Sequence, residues 1–308
     1  MENGIKMTRL GYACINLSIP CSPSLNMRKN TFLSKGKEYA GALALNNVKM
    51  LSKIFQWNED NNIRVYRMSS DMIPWMSEYE LNELPQFNEI SPVLSSAGAL
   101  ARKYGHRLSF HPGPFNQLAS MKSNVVTRTI KELNQHSEIM DLMGFPANHM
   151  TKINIHVGNA AEGKADATNR FCENFKLLND GTKKRLVVEN DDKSGLYTMQ
   201  ELYELVHKKI GVPLTFDYLH HYCNPGTLTE KEALTLAVST WGEVTPCAHY
   251  SSSKKLCEDN TAKLLSHADY VYNVIDTYGF DLDIVIEAKA KDLATLSYVK
   301  KHSSVLLN

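Results

Sequence analysis

Short apolar or alternating runs recur along the 308-residue chain, and each is followed by a longer stretch with helical periodicity. That alternation is expected of βα units, because a strand buried on both faces reads as a brief apolar block and its crossover helix as an amphipathic one. Eight blocks are visible: 9–14 (RLGYAC), 63–68 (IRVYRM), 107–111 (RLSFH), 152–156 (KINIH), 185–189 (RLVVE), 214–217 (LTFD), 246–249 (PCAH) and 283–287 (DIVIE). Between them the spacing predicts helices over 37–60, with Ala40, Leu43, Val48, Leu51 and Phe55 on one face, and over 88–104, 123–144 and 259–279. Others are predicted at 166–178, 199–209, 229–240 and 290–301. Gly105, Gly144 and the pair Gly211 and Pro213 supply stops.

Eight βα units without a linker or repeat predict one α/β domain over 1–308, a single (β/α)8 TIM barrel. An open doubly wound sheet would call for a glycine-rich phosphate turn after the first strand, and none is present. With 43% apolar and 22% charged residues the chain has the makings of a large core. A net charge of +1 gives no bulk electrostatic case for nucleic acid, so any such case must come from the site. Six cysteines without a CxxC pair favour a reducing setting. The N-terminus MENGIKMTRL has no apolar signal core, and no stretch approaches the roughly 20 apolar residues of a membrane span. An intracellular monomer without membrane contact is expected, in the cytoplasm or nucleoid, or in a eukaryotic nucleus.

The candidate chemistry stands at the ends of these runs. From the third to the eighth they close on His111, His156, Glu189, Asp217, His249 and Glu287, and His220 follows Asp217 by three residues. One such residue is ordinary; six consecutive ones on the face where barrel enzymes build their sites predict a metal centre. So many imidazoles and carboxylates exceed the needs of one ion and point to two or three divalent ions bridged by carboxylate oxygens. The mixed N/O set suits Mn²⁺ or Zn²⁺, with Mg²⁺ less matched, and does not choose between the first two. The other histidines, 106, 136, 149, 207, 221, 267 and 302, are expected to be solvated, except His221 beside its neighbouring candidate ligand. Closely spaced ions suit in-line displacement at a phosphodiester.

The segments RLGYACINL, YRMSSDMIP, SFHPG, NIHVG, VVENDD, FDYLHHYCNPG, TWGEVTPCAH and VIEAKAKD, taken in order, resemble those of UV damage endonucleases over about the whole chain. The resemblance implies a TIM barrel related to the endonuclease IV type, holding a cluster of usually Mn²⁺ ions. It also implies an enzyme of excision repair that nicks duplex DNA immediately 5′ of pyrimidine dimers, 6-4 products and other distorting lesions, leaving a 3′-hydroxyl and a 5′-phosphate. Carried over by position, His111, His156, Glu189, Asp217, His220, His249 and Glu287 are the implied ligands, and Lys289 and Lys291 the implied phosphate contacts. Both lesion nucleotides are flipped out in this family, and the residues matching its probe are Tyr12, Asn16, Pro114 and Phe115.

The chain departs from the pattern at several points. Pro114 and Phe115 stand where relatives carry Gln and Tyr, which keeps an aromatic wedge and removes a hydrogen-bonding side chain. Cys247 replaces a lysine that some relatives carboxylate, and reads as a small buried residue or as a thiolate favouring softer Zn²⁺. Glu78 stands in place of a histidine after the second strand and keeps a ligating oxygen. An abasic-site nuclease of the endonuclease IV type and a xylose-isomerase-like sugar enzyme stay open beside the repair endonuclease, since both place His, Asp and Glu at barrel strand ends.

Overall fold

The structure is a computed structural model describing residues 8–20 and 22–306, with side chains to residue 302. The stretch 1–7, where the sequence reading places no signal core, and Cys21 lie outside the described residues. All eight expected strands form: β1 Arg9–Ala13, β2 Val65–Arg67, β3 Arg107–Ser109, β4 Ile153–Ile155, β5 Leu186–Glu189, β6 Leu214–Thr215, β7 Cys247–Tyr250 and β8 Asp283–Ile286. Five pair in the order β3-β2-β1-β8-β7 and three in the order β4-β5-β6, every pair parallel. Isolated parallel bridges, Phe110 to Ile153 and Asp217 to His249, join the two sheets at both edges.

Most of the strands are shorter than their apolar runs, so His111, His156 and Glu287 fall just beyond the ladders, where side chains are free to converge. Successive strand residues point to opposite faces. On one face, Tyr12, Tyr66, Leu108 and Phe110 share a core with α1 (Lys29–Asp60), α2 (Phe87–Lys103) and α3 (Ser123–Leu142). Ile155, Val188, Leu214 and Ile286 join the core that holds Phe171 of α4 (Lys164–Phe175) and Leu234. On the other face Val65, Val187, Cys247 and Val285 form a small apolar cluster with Ala13 and Trp241. Each of these four precedes a charged or imidazole residue by two positions in the sequence: Arg67, Glu189 and His249 on their strands and Glu287 just past β8. They form an apolar floor. Cys247, 2% exposed, belongs to it, in line with the small buried residue expected. Gly11 is needed where β1 meets β2, since a Cβ there would lie 1.8 Å from the Val65 carbonyl oxygen.

Helix α1 begins ahead of the predicted 37–60, with Gly36 at φ +60° marking a kink. The helix predicted over 259–279 is absent. That segment is irregular because its backbone is committed to its neighbours: the Ala268 N–H donates to the Ser252 carbonyl, and the Ala268 carbonyl accepts the Lys289 N–H. Asp269 N–H donates to Glu258 and Tyr272 N–H to the Ser252 hydroxyl, which outweighs a weak helical pattern containing β-branched Val271, Val274 and Ile275. The turns Ser70–Met72, Met76–Glu78 and Leu81–Glu83 have no counterpart in the sequence reading. Among the described residues, the five cysteines are free and no helix is long and apolar enough to cross a membrane.

Candidate metal centre

The strand ends deliver five of the expected side chains to one place. Glu189 closes β5, His249 is inside β7, Asp217 follows β6, and His111 and His156 follow β3 and β4. Two sets of potential ligand atoms result, His111 with His156 and Glu189, and Glu189 with Asp217 and His249, the atoms of each lying within 4.8 Å of one another. Glu189 belongs to both. Its Oε2 is 3.1 Å from His111 Nε2, 4.0 Å from His156 Nε2 and 3.0 Å from His249 Nδ1.

Asp217 caps the short helix Tyr218–Cys223, accepting the His220 N–H at 2.8 Å, and so sets the imidazole that follows. His220 Nδ1 lies 2.9 Å from the Asn190 carbonyl and 3.3 Å from Glu189 Oε1. Asn190 grips Asp217 on both sides, donating to its carbonyl at 3.1 Å and accepting its N–H at 2.8 Å. Asn154 donates to Glu189 Oε2. Glu287 is paired with Arg67 and lies 3.3 Å from His249 Nδ1.

The electrostatics follow from burial. Burial alone would raise the Glu189 carboxyl, but His249, His156 and His111 outweigh it and hold the group well below the ordinary carboxylate range. Glu287 is likewise held down, against burial, by Arg67 and His249. Burial pushes Asp217 up, and His220, itself opposed by burial, is raised by Asp217 and Glu189. Burial also pushes His249 down to about 3, so its ring is neutral and able to offer a lone pair. Three buried atoms facing this centre, Glu189 Oε1, Asp217 Oδ2 and His249 Nδ1, have no hydrogen-bond partner. Orphans of this kind cost about 1–3 kcal/mol each. Acceptors of this kind are what a divalent cation satisfies, so the donor set fits a metal.

Other expected residues are placed differently. Glu78 lies within 3.2 Å of Arg128 and belongs to neither ligand set. Tyr12 and Asn16, expected at the DNA probe, are buried at 0% and 2% exposure. The Tyr12 hydroxyl donates to Asn58 and accepts from Asn16, and Asn16 in turn accepts the N–H groups of Ser18 and Ile19. These two residues hold the turn after β1 together; they do not reach solvent. Pro114 is exposed and Phe115 is 87% exposed, on the edge of a cavity of about 980 Å³ also lined by Trp75, Met76, Glu78 and Arg128. Lys289 is exposed and Lys291 half-buried beside Glu287.

The expectation that the remaining histidines are solvated is corrected. His106 and His136 are buried, and His136 packs edge-on to Phe110 with centroids 4.7 Å apart, its Nδ1 2.8 Å from the Glu132 carbonyl. His267 stands beside the site, Nδ1 2.7 Å from the Glu287 carbonyl. Arg67, Lys152, Asn154 and Asn190 were also missed by the sequence reading. The readable signal was a polar side chain at alternate positions of otherwise apolar runs.

A family model described as UV-endonuclease UvdE matches residues 8–306. A UV-damage endonuclease of Schizosaccharomyces pombe is 33% identical over 308 residues, covering 96% of this chain; the chain spans half of that protein's length. A UV DNA damage endonuclease of Bacillus thuringiensis subsp. konkukian is 30% identical over 312 residues, covering 96% of this chain and 95% of that protein. Among solved structures, one described as the crystal structure of SacUVDE superposes with a TM-score of 0.85 at 29% identity, covering 97% of this chain and 99% of the other. An AP endonuclease of family 2 from Brucella melitensis, at 10% identity, TM-score 0.54 and coverage of 97% and 99%, shares the fold alone.

Proposed function

This chain belongs to the UV-endonuclease UvdE family, and from that premise we propose that it is a metal-dependent DNA repair endonuclease acting on UV-damaged duplex DNA. It nicks the strand immediately 5′ of pyrimidine dimers, 6-4 products and other distorting lesions, leaving a 3′-hydroxyl and a 5′-phosphate. The observation that carries this reading is Glu189, shared by two candidate ligand sets and carrying, like Asp217 and His249, a buried atom without a hydrogen-bond partner. The eight strands read as one closed (β/α)8 barrel, a single domain acting as a monomer, supported by the two bridges between the sheets.

His111, His156, Glu189, Asp217 and His249 would hold two or three ions, Mn²⁺ by preference with Zn²⁺ or Mg²⁺ as substitutes, and His220 and Glu287 adjoin them. Ions held there would supply an activated water near neutral pH and charge stabilisation for the leaving group. The chain's own residues do the rest. Glu189 fixes the spacing of the two sets, Asn190 and Asn154 hold the carboxylates in place, and Lys289 and Lys291 meet the phosphate. Phe115, exposed at the cavity rim, enters the duplex as the wedge, with Pro114 stiffening the loop. Unstacking is least costly where pairing is already damaged, which favours the lesion.

The test is an end-labelled duplex, irradiated or not, incubated with the protein and Mn²⁺. A single nick 5′ of the photoproduct, abolished by chelation, is expected. Equal cutting of both duplexes, or of neither, would overturn the proposal.

A further inference from the structure

Lys152 has no role in the chemistry described so far. It immediately precedes β4, its side chain is wholly buried, and no carboxylate among the described residues pairs with it at salt-bridge distance. Instead Nζ lies 2.8 Å from His249 Nε2, with Asn154 Oδ1 and Thr215 Oγ1 each at 3.3 Å. A buried amine without a counter-charge is costly, so its retention calls for a function.

The geometry of His249 supplies one. Its Nδ1 edge faces Glu189 Oε2 at 3.0 Å and Glu287 Oε1 at 3.3 Å and makes no hydrogen bond, whereas its Nε2 edge is taken by Lys152. A histidine that binds a metal through one ring nitrogen has the other held by a neighbour, commonly a carboxylate or carbonyl, and that partner fixes tautomer and orientation. Here the neighbour is an amine from the residue before β4, in the three-stranded sheet, reaching a ring on β7 of the five-stranded one. His249 follows Cys247 of the apolar floor by two positions on β7, and that floor offers no polar side chain to its ring.

We propose that Lys152 is a positioning residue of the metal centre: its Nζ holds Nε2 of His249, so that His249 engages the ion through Nδ1. The inference rests on the metal-centre reading above. The contact of Nζ with Nε2 leaves Nδ1 as the ring nitrogen turned toward Glu189 and Glu287.

The experiment uses the full chain with ¹⁵N-labelled histidine, titrated with Zn²⁺ alone and read by NMR, with His249 assigned from the His249→Gln variant. The expected spectrum has His249 bound through Nδ1 with Nε2 protonated. In Lys152→Met that signature is lost, and one ion equivalent binds about 10-fold or more weakly, while the His111 and His156 resonances still shift with metal. Binding of His249 through Nε2 in the unaltered protein overturns the proposal, as does a Lys152→Met protein with unchanged affinity and unchanged His249 shifts. Zn²⁺ that shifts no histidine of the unaltered protein overturns the metal centre itself, a failure distinct from the other two. The unaltered spectrum decides the ring nitrogen even where Lys152→Met fails to fold.

Discussion

Two buried ionic groups stand on the same inner strand face, and they differ in whether their bonds are made. Near the N-terminal ends of the strands, Asp283 accepts Arg9 Nε at 2.7 Å and Nη2 at 2.6 Å, and Arg107 Nη1 at 2.8 Å. Arg107 also donates to the carbonyls of Thr245 and His149 and leaves only its Nε without a partner. At the opposite ends, Glu189, Asp217 and His249 crowd together with one orphaned atom each. On β8 the two groups are four residues apart, Asp283 and Glu287, with Val285 between them. Both are built on carboxylates that are almost wholly buried, Asp283 in one and Glu189 and Asp217 in the other; completeness separates them. The closed network stabilises the fold, whereas the open one is shaped for something added.

Substitutions should separate these roles. Glu189→Gln is expected to reduce nicking by about 10⁴-fold or more, with far-UV circular dichroism unchanged. In that variant Mn²⁺ should no longer raise the melting temperature, whereas a hundredfold excess over Kd stabilises the unaltered protein by about 2.7 kcal/mol. An equal metal-dependent rise in both would remove Glu189 from the ligand set. Asp283→Ala removes the counter-charge of buried Arg107 and should cost about 3–5 kcal/mol in urea denaturation, while the folded fraction binds as many Mn²⁺ ions as before. A loss of metal stoichiometry there would merge the two groups into one.

A buried histidine outside both groups provides an acid control. Burial lowers His136 from 6.5 to about 4, so between those values the unfolded chain takes up a proton that the folded chain refuses. Its contribution is therefore complete above pH 6.5 and falls by roughly 3 kcal/mol as the pH approaches 4. Urea midpoints of His136→Gln should decline less steeply over that window than those of the unaltered protein. The smallest effect belongs to the rim. Phe115→Ala should leave stability within about 0.5 kcal/mol but remove a stacking contact of about 1–3 kcal/mol, read as a reduced preference for irradiated over unirradiated duplex.

The strands were legible because each is a short apolar block, and their last residues were legible because ligand types there have no packing reason to recur. What lay hidden depended on direction. Lys152 and Asn154 sit in an apolar run, and nothing local tells whether such polar side chains point inward to one another or out to water. His267 was read as solvated because 259–279 mimics a helix, while the backbone around it is held by the segments that follow β7 and β8. Tyr12 and Asn16 lie in a segment that matches the family's, yet the hydroxyl is bonded to Asn58 of α1 and the amide to Tyr12 and the turn after β1. A motif match carries residue identity; exposure is decided by the fold.

The apolar floor of Val65, Val187, Val285 and Cys247 also works as an insulator. On β8 it places the hydrocarbon of Val285 between Asp283 and Glu287, so the closed network and the open centre occupy one strand face without sharing a partner.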